Sequence, residues 1–525
     1  MASLPATKMI MSTTRDFASS LTHIRPLTFA AVAQRLVPHP PDLIKWVKSE
    51  GGFVHPALRI AQSNDSLGLD LVSSEDIAKG SDLIALPHHI PLRFGSGDAD
   101  RSHSYSVLLD LARRVPDELW AIRLGLKLLQ ERAKENSFWW PYISNLPETY
   151  NVPIFFSGDD IKNLQCAPLL HQVNKRCRFL LDFEKEVKGV LEGLQLVDHP
   201  FRGQDVDASS LGWAMSAVSS RAFRSHGEKD GTESGIPMML ALIDMCNHSF
   251  SPNAQIVHER DGVGKEMLVM AGFYFHFILF QSKNKITTSV FPFPSSEFGL
   301  IYLFIYLYFV NQVVSKAKIK QDSPLLLNYG CLSNDLFLLD YGFVLLSNPY
   351  DCIKLRYDSA LLDAASMAAG VSSPNFSSPA LWQQQILSAL HLGGENPSLK
   401  VTLGGTNLIE GRSLAASRVL LSSDADRVQK HDLNILTSFS AEAPVGISTD
   451  VAALRTVIAL CVIALEHFPA KIMDDESLLE KGVSSSTKLA IQFRMHKKSV
   501  IIDVMRNLTR RVKLLSSKQN ATAQE

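Results

Sequence analysis

No two of the six cysteines, Cys166, Cys177, Cys246, Cys331, Cys352 and Cys461, form a C-x-x-C pair. That argues against a structural zinc site and a disulfide-stapled secreted domain, and leaves reduced thiols inside a cell as the simplest reading. Net charge is also missing: at −1, nothing suggests bulk electrostatic binding to DNA or RNA. The uncharged apolar run Phe298–Gln312 has 15 residues, short of the ~20 that span a bilayer, so no membrane contact is expected. Acids are scarce at the start. Met1 to Pro40 hold nine Ser/Thr and four Lys/Arg but one acid, Asp16. That composition fits a plant-type organellar transit peptide and predicts the chloroplast stroma, with cytoplasm or mitochondrion next; a plainly disordered N-terminus has the same composition.

What is present is ordinary for a globular protein: 46% hydrophobic and 20% charged residues in 525, enough for two or three domains. From Pro41-Asp42-Leu43 the apolar spacing predicts a helix. Leu67–Val72 and Asp82–Pro87 read as strands about the turn Ala78-Lys79-Gly80. Residues 104–213 are helical in pattern, with Leu119, Ile122, Leu126 and Leu129 on one face and Leu180, Phe183, Val187, Val190 and Leu194 on another. Phe138-Trp139-Trp140-Pro141-Tyr142 interrupts them and reads as a core or docking element. After Tyr350 the pattern is helical, notably in Leu381–Leu392, Val451–His467 and Thr487–Leu515. The basic groups Arg494–Lys498 and Arg506–Lys513 read as a solvated helix face.

One stretch stands apart. Phe273–Gln312 contains nine Phe and four Tyr but only Lys283, Lys285 and Glu297 as charges. Phe, Ile, Leu and Tyr codons are T-rich, as plant introns are. Val269-Met270 and Asn311-Gln312 can be encoded by intron-boundary triplets. Residues 269–312 therefore read as a retained intron or gene-model error, with a genuine extra loop as the alternative.

Two separated segments carry the chemistry. Ala241-Leu242-Ile243-Asp244-Met245-Cys246-Asn247-His248-Ser249 is an apolar, strand-like run ending in polar groups. Leu325-Leu326-Leu327-Asn328-Tyr329-Gly330, then Asp340-Tyr341-Gly342-Phe343-Val344, is the second. Together they resemble the D-x-x-N-H-S and N-Y-G…D-Y-G-F halves of the SET-domain signature. Ser66-Leu67-Gly68-Leu69 with Asp76-Ile77-Ala78-Lys79-Gly80 resembles the opening of that domain. Trp140–Pro147 resembles the W-P-Y-I-x-x-L-P element of the Rubisco large-subunit methyltransferase subfamily. Residues 42–515 are covered by the resemblance. Histone-directed SET enzymes commonly carry zinc-bound cysteine clusters, which this chain lacks.

The resemblance implies a protein methyltransferase that uses S-adenosylmethionine (SAM), and it assigns parts. Tyr329 would be the active-site tyrosine. Asn247 and His248 would hold SAM, with Leu67 and Gly68 approaching it through backbone and Arg221 near its carboxylate. Phe343 would lie toward the adenine, Tyr341 would line the substrate channel, and Asp244 would face the incoming ammonium. Plainer roles fit the same residue types: a satisfied turn for Asn247-His248, a strand glycine for Gly68, a surface ion pair for Arg221, a cap for Asp244, core packing for Tyr341 and Phe343. No metal is expected. Lysine-active relatives often carry another channel tyrosine after N-H-S, whereas Ser251–His258 has none.

The expected fold is α+β: a SET-domain β-fold over 41–348 with a helical insertion at about 104–213, then an all-α substrate-binding domain over 349–515. Residues 1–40 are the transit peptide and 516–525 a disordered tail. The expected activity is lysine N-methylation of a non-histone protein docked on the helical domain, by a monomer. The alternatives are histidine N-methylation and a catalytically silent SET scaffold that binds proteins.

Overall fold

The computed structural model describes residues 36–62, 69–94, 102–225, 235–258, 311–371, 376–394 and 397–522. The transit-peptide expectation falls mainly outside these residues, but Leu36 packs against the core and donates its N–H to Leu146 O. The Asp42 carboxylate accepts from Lys45 N at 3.1 Å and caps α1 (Leu43–Ser49), burying Leu43 and Val47.

The β-fold consists of small sheets. β1 (Phe53–Val54), β4 (Asp82–Leu86), β10 (Asn311–Ser315) and β9 (Ala254–His258) run antiparallel in the order β1-β4-β10-β9. β2 (Leu58–Gln62) pairs with β3 (Leu69–Ser73). β5 (Leu92–Arg93), β7 (Ile236–Met239) and β6 (Ala222–Ser225) form a third sheet. β8 (Asn247–His248) and β11 (Leu326–Leu327) form a short parallel pair that joins the two signature segments. The predicted strands 67–72 and 82–87 are present in large part, but β3 pairs with β2 rather than β4. The segment read as an intron lies outside the described residues except for Asn311 and Gln312, which belong to β10 and pair with both of its neighbours.

The predicted insertion is helical: α2 (His103–Arg113), α3 (Trp120–Ala133), α4 (Trp140–Ile143), α5 (Gly158–Asn163), α6 (Ala167–Leu191) and α7 (Ala208–Arg221). Ser102, Ser157 and Asp207 cap α2, α5 and α7. Leu119, Ile122, Leu126 and Leu129 are all buried, as are Leu180, Phe183 and Val187. Gly125 lets α3 lie on α7, since a Cβ there would meet Ala214 Cβ at 3.2 Å.

The C-terminal region is helical around one antiparallel ribbon, β12 (Cys352–Arg356) with β13 (Lys400–Gly404). Its larger helices are α8 (Ser359–Ala368), α9 (Leu381–Ala389), α10 (Gly411–Leu420), α11 (Ile447–Glu466), α12 (Ile472–Glu480) and α13 (Ser485–Thr522). The expected tail from 516 is therefore helical through Thr522. α11 is long and apolar enough to cross a membrane, yet half of that stretch is buried in the fold, and its Asp450 pairs with Arg418 at 2.7 Å.

The reading of Arg494–Lys498 as a solvated face is overturned. Arg494, Lys497 and Lys498 are 2%, 1% and 4% exposed. Arg494 pairs with Asp475 at 2.6 Å and donates to Asn163 O at 2.8 Å, and Lys498 also pairs with Asp475. Lys497 pairs with Asp335 and Asp351. A charge is buried when it is paired and hydrogen-bonded, and its partners here lie far away in sequence. The later group does face solvent, with Arg506, Arg510 and Lys513 exposed.

Candidate functional site

The β8–β11 pair sets Leu327 beside His248, which brings the residues after each strand together. Tyr329 N donates to His248 Nδ1 at 3.1 Å, and the Tyr329 hydroxyl donates to Cys246 O at 2.5 Å. The tyrosine is thus held at both ends by the opposite segment. The expected strand 241–249 is shorter than its apolar pattern suggests. Leu242 takes φ +68°, Ile243–Met245 form a 3₁₀ turn, and Asp244 N donates to Leu240 O at 3.0 Å. Turn and strand bury apolar residues equally well, so the pattern alone does not separate them.

Tyr341 ends a π-helical turn, Phe337–Tyr341, and Gly342 follows at φ +76°. A Cβ on Gly342 would lie 2.6 Å from Asn151 O, so both the backbone conformation and the space require glycine. The reversal stacks Tyr341 on Tyr329 with centroids 5.1 Å apart and planes at 23°. It also stacks Phe343 on Phe337 at 4.9 Å. The His248 ring packs against Phe250, Phe337 and Tyr329 at 4.6, 4.8 and 5.2 Å.

A cavity of about 540 Å³ opens over this cluster. Tyr329, Tyr341, Arg221 and Asp244 line it, with Arg224, Asn328 and Lys316. Asp244 has a fully buried side chain. Its Oδ2 accepts from Tyr142 hydroxyl at 2.7 Å and from Arg221 Nη1 at 3.3 Å, and Arg221 Nη1 also reaches the Asp244 carbonyl at 3.2 Å. Burial raises the Asp244 carboxyl above its ordinary range, against the pull of Arg221 and Tyr142. Burial opposes the Arg221 charge, but Asp244 outweighs it and holds the guanidinium protonated.

The tyrosines keep their protons. Burial, with the Cys246 thiol adding to it, raises Tyr329 far above the ordinary phenol value. Burial pushes Tyr341 and Tyr150 up to about 12. His248 is lowered by burial and so is neutral. Because its Nδ1 accepts from Tyr329 N, its proton sits on Nε2.

Several polar atoms here are buried and lack a hydrogen bond of good geometry: Asp244 Oδ1, Arg221 Nε, His248 Nε2 and the Tyr150 hydroxyl. Such groups cost free energy unless something else meets them. Of these, Asp244 and Arg221 line the cavity, whereas His248 and Tyr150 do not, and the Tyr150 hydroxyl faces Arg221.

Of the predicted site residues, Tyr329, Tyr341, Arg221 and Asp244 are brought together. His248 and Phe343 stand behind them in the ring cluster. Arg221 already commits a guanidinium nitrogen to Asp244, and Asp244 is engaged by two donors with one oxygen left. Asn247 lies outside the cavity lining, and its amide donates to Asp70 Oδ1 at 2.7 Å. Leu67 and Gly68 lie outside the described residues. Tyr142 and Tyr150 were missed as site residues. Tyr142 belongs to the aromatic interruption read as core, and a buried phenol needs a partner, which was the available signal.

Residues 374–501 match the Rubisco LSMT substrate-binding family. The chain is similar to the actin-histidine N-methyltransferase of Homo sapiens, 23% identical over 479 residues, covering 88% of this chain and 67% of that one. That of Canis lupus familiaris is 28% identical over 215 residues, 40% of this chain and 34% of the relative. Among solved structures, the SET domain of LSMT bound to lysine and AdoHcy aligns with a TM-score of 0.57 at 17% identity, over 90% of this chain and 92% of that one. Rubisco LSMT bound to AdoMet aligns at 0.55 and 17%, over 92% and 94%. The likeness establishes the fold: a SET domain followed by the helical domain.

Proposed function

We infer that this chain, with a SET-domain fold and a Rubisco LSMT-type substrate-binding region, is a SAM-dependent protein methyltransferase. The observation that carries the reading is the cavity in which the stacked Tyr329–Tyr341 pair meets the Arg221–Asp244 pair. SAM fits the charge of this cavity: the Arg221 guanidinium that lines it suits the SAM carboxylate. Bound there, SAM supplies an electrophilic methyl group.

The protein has to align a nitrogen lone pair with that methyl and exclude water. Tyr329 spends its proton on Cys246 O, so its remaining capacity is as an acceptor, fixed in place, for an N–H of a lysine amine; the attacking nitrogen of an imidazole carries no hydrogen, and toward it the ring serves as a fixed wall. Tyr341 flattens the adjoining wall. The retained protons on both rings keep negative charge away from the reacting nitrogen.

For the target, the relatives' names favour histidine. A neutral imidazole needs no prior deprotonation near pH 7, whereas an ammonium of pKa about 10.4 does. Asp244 Oδ1 is the acceptor available to the imidazole's other N–H. Lysine, the sequence-based expectation, remains the second reading, because that same oxygen also suits an ammonium. The helical region is the docking surface for the protein substrate, and the acid-poor N-terminus supports a plastid address.

The test is transfer of labelled methyl from SAM into stromal extract and into peptides bearing a single histidine or lysine, with the modified residue read by mass spectrometry. SAM binding without transfer would favour a silent binding protein. A fusion of Met1–Ser49 to a fluorescent protein that stays cytosolic would refute the plastid address.

A further inference from the structure

Lys497 lies on α13 in the helical region, yet its ammonium is buried in the loop that carries Tyr341. It donates to Asp335 Oδ2 at 2.5 Å, Asp351 Oδ1 at 2.7 Å and Cys352 O at 2.8 Å, meeting all three of its donor positions. The two carboxylates bracket that loop. Asp335 lies in the helical turn Asn334–Leu336 that leads directly into Phe337–Tyr341. Asp351 Oδ1 accepts from Asn334 N at 3.0 Å. The loop is closed from within, where Asn334 exchanges hydrogen bonds with both Leu345 N and Leu345 O, at 3.0 and 2.9 Å. Lys354, 3.9 Å from Asp335, and His496, 3.3 Å from Asp351, complete the charge cluster. Lys497 is the cation that bonds both carboxylates.

We propose that Lys497 is a positioning residue for methyl transfer: by clamping Asp335 and Asp351 it holds the loop from Asn334 to Leu345, and so the stacking of Tyr341 on Tyr329. The helical region thereby shapes the reacting site as well as offering a docking surface. This deepens the methyltransferase reading and rests on it. Arg494, on the same helix, is equally buried and pairs with Asp475 of α12, but it touches the insertion at Asn163 instead of this loop, which makes it the internal control.

The experiment compares full-length Lys497→Met, Lys497→Arg and Arg494→Met by steady-state kinetics, melting temperature and hydrogen exchange of residues 334–345. Lys497→Met is expected to lower kcat about tenfold or more with KM changed less than about threefold, and to speed exchange in that loop. Lys497→Arg should recover most of kcat. Arg494→Met should lower the melting temperature similarly and leave kcat and loop exchange unchanged. Equal loss of kcat in Arg494→Met and Lys497→Met, or unchanged loop exchange in Lys497→Met, would overturn the proposal. Should Lys497→Met not fold, Asp335→Asn, which retains the bond to Asp351, is read in the same way. A wild-type protein that transfers no methyl refutes the functional reading alone; exchange in the loop then still decides the role of Lys497.

Discussion

Tyr142 and Asp244, 102 positions apart, are joined by a 2.7 Å hydrogen bond between two buried side chains. The bond ties the aromatic interruption of the helical insertion to the floor of the cavity. Tyr142→Phe should cost about 1–3 kcal/mol of stability, because it removes a donor from a buried carboxylate that still needs one. The bond favours the ionised carboxylate, so its loss raises the Asp244 carboxyl further. An acid with a raised native pKa contributes stability that is fully present below its unfolded value of 3.8 and lost as pH rises through the native value. The penalty should therefore be larger at pH 7 than near pH 4. Denaturant unfolding at the two pH values checks both size and sign.

Tyr329→Phe should lower kcat by about a hundredfold while leaving SAM affinity nearly unchanged, since the phenol oxygen acts at the reacting centre. It also leaves Cys246 O without its hydroxyl donor. Calorimetry and turnover on the same preparation separate the two effects; a parallel fall in affinity would move Tyr329 from reaction to cofactor binding.

The pH–rate profile distinguishes the two target residues. Tyr341 titrates only at about 12 and Tyr329 higher still, so neither contributes a break between pH 6 and 10. A histidine substrate should then give a rate that rises through pH ~6.5 and is level above it, and a lysine substrate one that climbs toward pH ~10. Single-turnover rates on a peptide substrate would show which profile holds.

Asn247→Ala provides a clean reading of a residue whose expected role and observed place differ. Its bond to Asp70 is exposed, so the substitution should cost less than about 1 kcal/mol of stability. A tenfold or larger loss of SAM affinity would then mark a direct contact to the ligand. Unchanged affinity would confine Asn247 to the surface.

Deleting Val269–Gln312 should leave a folded protein of equal or higher melting temperature and better solubility. The deletion brings Met267 and Leu268 into the positions of Asn311 and Gln312, and the ladder to β4 and β9 uses backbone groups that any residue but proline supplies. Within the removed sequence, Phe298–Val310 has a β-prone, uncharged, apolar signature associated with aggregation. A lower melting temperature, together with transcripts that retain the segment, would make it a true structural element.

Local patterns carried much of this fold. Asp42 marked the start of α1, the Leu119–Leu129 stripe marked the buried face of α3, and the N-Y-G and D-Y-G-F segments marked the residues that meet at the cavity. What escaped notice depends on partners distant in sequence. Lys497 on a helix looks like any solvated lysine until Asp335 and Asp351 surround it. Arg221 carries no local sign that Asp244 will engage it, and the apolar run before Asn247 suits a strand as well as the buried turn it forms. Periodicity reports which face is covered, not what covers it.

The clamp at Lys497 also imposes an order on biosynthesis. A ribosome delivers Asp335 and Asp351 long before residue 497, so a nascent chain that holds every residue lining the cavity still has two carboxylates awaiting their cation. Among the described helices, the last to leave the ribosome is the one that completes the reacting site. Under the proposed clamp, full competence therefore comes only once α13 has left the ribosome, and chains ended before Lys497 should be selected against by their own exposed, half-formed loop.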